Sequence, residues 1–328
     1  MYKVLVMLSV PLFEPVFGDN RKTVFPIARK NVFNAYDVAL KCQWTPKEIT
    51  LAQDKIDFAT KLDAGRRRLV THTHAFFASS DGLVNDNITQ RFAKEVLMQD
   101  AQYFYNFQTS TEDIHAYTYS VILDAIVPSE EERNRLINAA HSMPVIKQMT
   151  DYITECTNSD APFSERLLRM ACVEGIFFTG CFCAIYWLTD QGLMPGLGHA
   201  NELISRDEWL HTQFALLLYS MLNNEHKLSR ARIYEIFAEA VVIASDFTAD
   251  ALPEDLPEMN AGDMKKYIQS QADNVLALLG MEPLYNIKCP FEFMDRQNMA
   301  NRVNFFDRRV SDYAQAVTPD DGTTALEF

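Results

Sequence analysis

FYNFQTSTEDIHAYTYS, residues 104–120, places Glu112 and His115 three positions apart, and LISRDEWLHTQ, residues 203–213, repeats the spacing with Glu208 and His211. On a helix such a pair projects from one face about a turn apart. Each copy follows an isolated carboxylate in an apolar helical stretch: Asp81 lies 31 residues before Glu112, and Glu174 lies 34 before Glu208. Four carboxylates and two imidazoles in that order are the ligand set of a two-metal site inside a helical bundle. A single E-x-x-H is as readily a surface pair; the doubled order carries the weight.

The neighbours on each face are apolar. Glu112 shares its stripe with Tyr105, Tyr119, Ile122 and Ile126, and Glu174 with Leu167, Met170, Phe178, Phe182 and Ile185. Ile204, Ala215 and Leu218 extend the face of Glu208 and His211, while Val70, Phe77 and Ser80 line up with Asp81. An ionised carboxylate on such a stripe is costly unless paired or metal-bound. Two ferric ions and an oxo bridge would neutralise four carboxylates. Carboxylate-rich ligation with two imidazoles suits iron or manganese better than zinc or copper. His72, His74, His141, His199 and His226 lack the arrangement and read as ordinary histidines.

The rest of the chain sets the frame. Its 328 residues are 48% hydrophobic with 11 glycines and no evident linker, which favours one large domain. A net charge of −14 argues against a nucleic-acid surface. Six cysteines without C-x-x-C spacing read as reduced thiols of a cytoplasmic protein. The N-terminus has one basic residue, a short apolar run and no small-x-small site, so it reads as an extended segment (1–30) rather than a signal peptide. No run is expected to reach the ~20 apolar residues that span a bilayer, so no membrane is expected.

Helical signals dominate and β-type alternation is scarce, so the chain is expected to be all-α. Thr45-Pro46-Lys47-Glu48 and Ser129-Glu130-Glu131-Glu132 read as capped helix starts. Helices are expected at about 64–87, 89–127, 130–157 and 163–190, with a restart near Asn201. Two more are expected at about 228–248 and 261–279, the last stopped by Gly280. Residues 314–328 form a short acidic tail ending in Leu326 and Phe328, apolar side chains suited to a partner's pocket.

Several ordered stretches resemble the small, radical-generating subunit of class I ribonucleotide reductase, in its eukaryotic and large-DNA-virus branch. They are FFASSDGLVND (76–86), residues 104–120, VEGIFFTGCF (173–182), LMPGLGHANELISRDEWLH (193–211) and NFFDRRVSDY (304–313). The resemblance covers nearly the whole chain. It implies a ferritin-like bundle over residues 1–313, a homodimer, and a tail at 314–328 that docks on the large subunit. It also implies two iron ions per chain in an Fe–O–Fe centre, with manganese left open. Asp81, Glu112 and His115 would hold one metal, and Glu174, Glu208 and His211 the other.

By the same resemblance Tyr119 stores the radical, inside an apolar pocket of Phe178, Phe182 and Ile204. Trp44 and Asp207 link the centre outward through His115, and Tyr313 relays the oxidising equivalent to the large subunit, which reduces ribonucleoside diphosphates. The residues agree in outline: a phenol four positions past His115 shares its face. A carboxylate behind a metal-bound imidazole is the usual support. Cys181 and Cys183 stand where the family more often has Ser or Ala; helical spacing aims at most one at the pocket, and both are expected only to pack. Two other readings share the metal pattern, a stand-alone di-metal oxidase or hydroxylase and a ferritin-type iron protein. Neither needs Trp44, Tyr119, Asp207 or Tyr313.

Overall fold

The computed structural model describes residues 16–18 and 21–294. Tyr313, Leu326, Phe328 and the whole 314–328 tail lie outside the described residues. The chain divides into two units, Met1–Pro290 and Phe291–Phe328, and the account below concerns the first.

Among the described residues ten longer helices build it: α1 (Lys30–Leu40), α2 (Ala52–Thr60), α3 (Ala64–Asn87), α4 (Gln99–Ile126), α5 (Glu130–Ile137), α6 (Pro144–Asn158), α7 (Phe163–Asp190), α8 (Pro195–Met221), α9 (Arg230–Ala251) and α10 (Ala261–Leu278). Short helical turns join some of them. No β-strand occurs among the described residues, only an isolated bridge between Leu256 and Met259. In the central bundle α3 packs on α4, α7 packs along α8, and α3 and α4 meet α7 and α8 respectively.

Local chemistry explains the ends. Asp63 accepts a hydrogen bond from the Arg66 amide at 2.8 Å and starts α3. Ser129, Ser229 and Asn260 do the same for α5, α9 and α10. Gly280, in the left-handed region at φ 70°, ends α10, where the Met281 amide reaches back to the Leu276 carbonyl. The Thr45–Glu48 start yields one 3-10 turn only, with the Glu48 carboxylate accepting from the Thr45 amide at 2.7 Å.

Three expected helices differ. The run at 89–127 is interrupted at Val96–Met98, where the Gln102 side chain donates to the carbonyls of Ala93 and Val96. The run at 130–157 is broken before Pro144, which forces Met143 into extended backbone. The helix expected to restart near Asn201 begins at Pro195 instead. Its first amides are taken by a distant segment: Asp54 accepts from Gly196 and Leu197 at 3.0 and 2.7 Å, and Asp57 from Met194 at 3.0 Å. Both aspartates are fully buried.

Helix α7 corrects a further expectation. By length and composition it is apolar enough to cross a membrane, but 94% of its most apolar window is buried within the fold. Its apolarity is that of a core helix. Between Val173 and Phe178 it widens into a π turn. There a Cβ on Gly175 would lie 3.0 Å from both Thr212 Cγ2 and Val275 Cγ2, so a larger residue would push the side chains of α8 and α10 outward.

Candidate metal centre

The six carboxylate and imidazole residues come from the four central helices: Asp81 from α3, Glu112 and His115 from α4, Glu174 from α7, Glu208 and His211 from α8. None is more than 2% exposed. Glu112, Glu174, Glu208 and His211 each present a ligand atom, all within 4.8 Å of one another. Glu174 sits on the π turn, a local widening that recurs at functional sites because it re-aims a side chain.

Two carboxylates face both imidazoles. Glu112 Oε1 lies 3.0 Å from His211 Nδ1, and its Oε2 lies 3.4 Å from His115 Nδ1. Glu208 mirrors this, with Oε1 3.0 Å from His115 Nδ1 and Oε2 3.3 Å from His211 Nδ1. Glu112 and Glu208 thus each reach toward both imidazoles. His115 Nδ1 and both Glu112 oxygens make no hydrogen bond despite these short separations, and both Asp81 oxygens are buried without a donor. Lone pairs that converge without a shared proton are what a cation would satisfy.

The electrostatics agree. Burial pushes the Asp81 carboxyl well above the usual range, and the charge of Glu112 adds to it. Burial likewise pushes Glu174 up, opposed by His211 and aided by Glu208 and Glu112. Burial would raise Glu112 too, but the flanking imidazoles hold it down, to about 2. Burial alone would strip protons from His115 and His211, yet the carboxylates around them push both well up. So much negative charge in a dry interior calls for cations. The donor set fits a pair of them.

Around this core lie the supporting residues. Trp44, 4% exposed, donates from Nε1 to Asp207 Oδ2 at 2.7 Å. The same oxygen is 3.3 Å from His115 Nε2, and the indole stacks on the imidazole at 6.1 Å. Arg206 holds the other Asp207 oxygen at 3.0 Å. Burial would raise the Asp207 carboxyl, but His115 and Arg206 bring it below the usual range. Gln108, whose role the sequence reading missed, donates to Glu174 Oε1 at 2.9 Å. Its position one turn before Glu112 was the available cue.

Tyr119 is 3% exposed and stacks on Phe77 at 4.5 Å and 13°. Phe178 and Phe182 pack on Phe77 at 5.6 and 5.3 Å, and Ile204 is fully buried. Phe77 is thus the ring stacked on Tyr119, with Phe178 and Phe182 packed behind it. Burial pushes the Tyr119 hydroxyl well above its ordinary range, with Asp81, Glu208, Glu112 and Cys181 adding to it. Burial likewise pushes the Cys183 thiol up, with Cys289 adding to it. The rival tyrosines separate: Tyr117 is 62% exposed, and Tyr105 lies buried beside Glu174 in a small cavity lined also by Phe92, Met170 and Phe214.

Fold and site together define a ferritin-like helical protein with a buried carboxylate–histidine cluster compatible with a two-metal centre. Residues 21–290 match the family described as "Ribonucleotide reductase, small chain". A ribonucleoside-diphosphate reductase small chain from Trypanosoma brucei brucei is 44% identical over 305 residues, spanning 92% of this chain and 90% of that one. The small chain from vaccinia virus (strain Ankara) is 40% identical over 302 residues, spanning 92% and 94%. The ribonucleotide reductase Rnr4 homodimer from Saccharomyces cerevisiae superposes with a TM-score of 0.76 at 32% identity, covering 92% and 93%. The chain belongs to the ribonucleotide reductase small-chain family, and its activity class is that of the class I oxidoreductase.

Proposed function

We propose that this chain is the subunit that generates and stores the oxidising equivalent of a class I ribonucleoside-diphosphate reductase, with Tyr119 as the radical site. The observation that carries the reading is the joint placement of Tyr119 and the Trp44–Asp207–His115 chain against one buried cluster. In it Asp81, Glu112, His115, Glu174, Glu208 and His211 would hold two iron ions, which supply the oxidising power of O2 when bound. Glu112 and Glu208 hold the two halves in register. Gln108 orients Glu174 by its hydrogen bond. Phe77, Phe178 and Phe182 shield the phenol from bulk solvent.

Asp207 fixes the His115 ring and binds Trp44 in line with it, so an electron crosses this contact without loss of geometry. Tyr313 in the C-terminal segment would continue the route, and Leu326 and Phe328 would anchor the 314–328 tail on the large subunit. A homodimer follows from the family, as in the yeast Rnr4 structure. A cytoplasmic setting accords with Cys156, Cys172, Cys181 and Cys183 being buried thiols outside any disulfide. Ribonucleotide reduction should require an added family large subunit, and should vanish in Tyr313→Phe and in a chain ending at residue 313. Turnover of a substrate by this chain alone would instead favour a stand-alone di-metal oxidase.

A further inference from the structure

His74 is fully buried on α3 and stands edge-on to two aromatic rings, Tyr119 at 6.0 Å and 82° and Phe77 at 5.8 Å and 85°. Its Nδ1 lies 2.8 Å from the Val70 carbonyl oxygen. A carbonyl only accepts, so Nδ1 carries the proton and donates. Burial lowers the ring's pKa to about 4, so it is neutral under ordinary conditions. Nε2 is then a bare acceptor, and no described residue donates to it. A buried acceptor without a donor is rare and destabilising, and a leucine of similar size would serve better if this position only packed.

We propose that His74 Nε2 holds an ordered water in the wall of the Tyr119 pocket, and that His74 is thereby a positioning residue that shortens the life of an oxidised Tyr119. The second half rests on the reading of Tyr119 as the radical site. A neutral imidazole with its far nitrogen committed to the backbone offers one fixed acceptor, which suits a single water. On the side of the pocket lined by His74 and Phe77, that water offers a proton relay. Decay of the phenoxyl to the phenol takes one electron and one proton. A small reductant of the ascorbate class loses both, and the water passes the proton on.

The test uses the full chain as wild type, His74→Leu and His74→Gln, the glutamine amide replacing Nε2. A high-resolution crystal structure of the wild type should show a water within hydrogen-bonding distance of Nε2, absent in His74→Leu. After treatment with ferrous iron and O2, the radical in wild type and His74→Gln should show a deuterium-exchangeable coupling that His74→Leu lacks. With ascorbate, the His74→Leu radical should decay several-fold more slowly. An Nε2 with no water in the wild-type crystal, or a His74→Leu radical with wild-type coupling and decay, overturns the proposal. Should no radical form on wild-type Tyr119, the functional reading fails and the role in radical decay falls with it. The diffraction result still decides the water.

Discussion

Asp207→Asn tests the link between Trp44 and the centre. One Asp207 oxygen takes the Trp44 indole N–H at 2.7 Å and faces His115 Nε2 at 3.3 Å; the other takes Arg206 at 3.0 Å. An asparagine has one oxygen and one NH2, so whichever way it turns, an N–H confronts an N–H. Losing one charge-assisted hydrogen bond and stranding a buried donor costs about 2–3 kcal/mol. At about 2 °C per kcal/mol for a large domain, the melting midpoint of the metal-free protein should fall by roughly 4–6 °C. The imidazole would also lose its anchor, and such losses lower metal affinity by about 10–100-fold. Calorimetry and ferrous-iron titration measure both effects. Trp44→Phe and the double variant complete a cycle, which should give a coupling of about 1–2 kcal/mol. Additive single variants with unchanged iron affinity would refute the argument, because the bond from Trp44 to Asp207 would then carry no energy.

Further outcomes are expected elsewhere. Gln108→Leu removes the donor to Glu174, so at limiting iron the metal bound per chain should drop toward half, read by metal analysis. Asp63→Ala removes the cap of α3 and should cost about 1 kcal/mol near neutral pH. The Arg66 amide holds the Asp63 carboxyl below its usual range, so this contribution is full above pH ~4 and fades as pH falls through the lowered value; urea melts across pH 3–7 check the sign. Cys181→Ala should change the radical's half-life less than about twofold, since burial pushes the thiol up and keeps it protonated. A large gain would show that the thiol reduces Tyr119.

The two Glu–His pairs were legible because three-residue spacing on a helix puts both side chains on one face, whatever the tertiary fold. Asp81 and Glu174 were legible from their order before those pairs, and Asp207 only through the family resemblance. Other features depend on contacts between segments. The π turn under Glu174 arises where α7 presses on α8 and α10, with Gly175 the only local hint. Residues 54 and 57 cap a helix that begins at Pro195, and no local pattern announces a cap from so far away. Which oxygen of Glu112 or Glu208 meets which imidazole is a matter of rotamers within the assembled bundle. His74 read as an ordinary histidine because nothing on α3 alone reveals that Tyr119 lies across from it.

The central claim is that Tyr119 stores an oxidising equivalent made at the adjoining two-metal centre. Electron paramagnetic resonance of the protein after ferrous iron and O2, with metal analysis of the same sample, tests it most directly. The expected result is about two irons per chain and a tyrosyl radical, with Tyr119→Phe keeping the iron and losing the signal. A signal that persists in Tyr119→Phe, or full iron loading with no radical in the wild type, would contradict it.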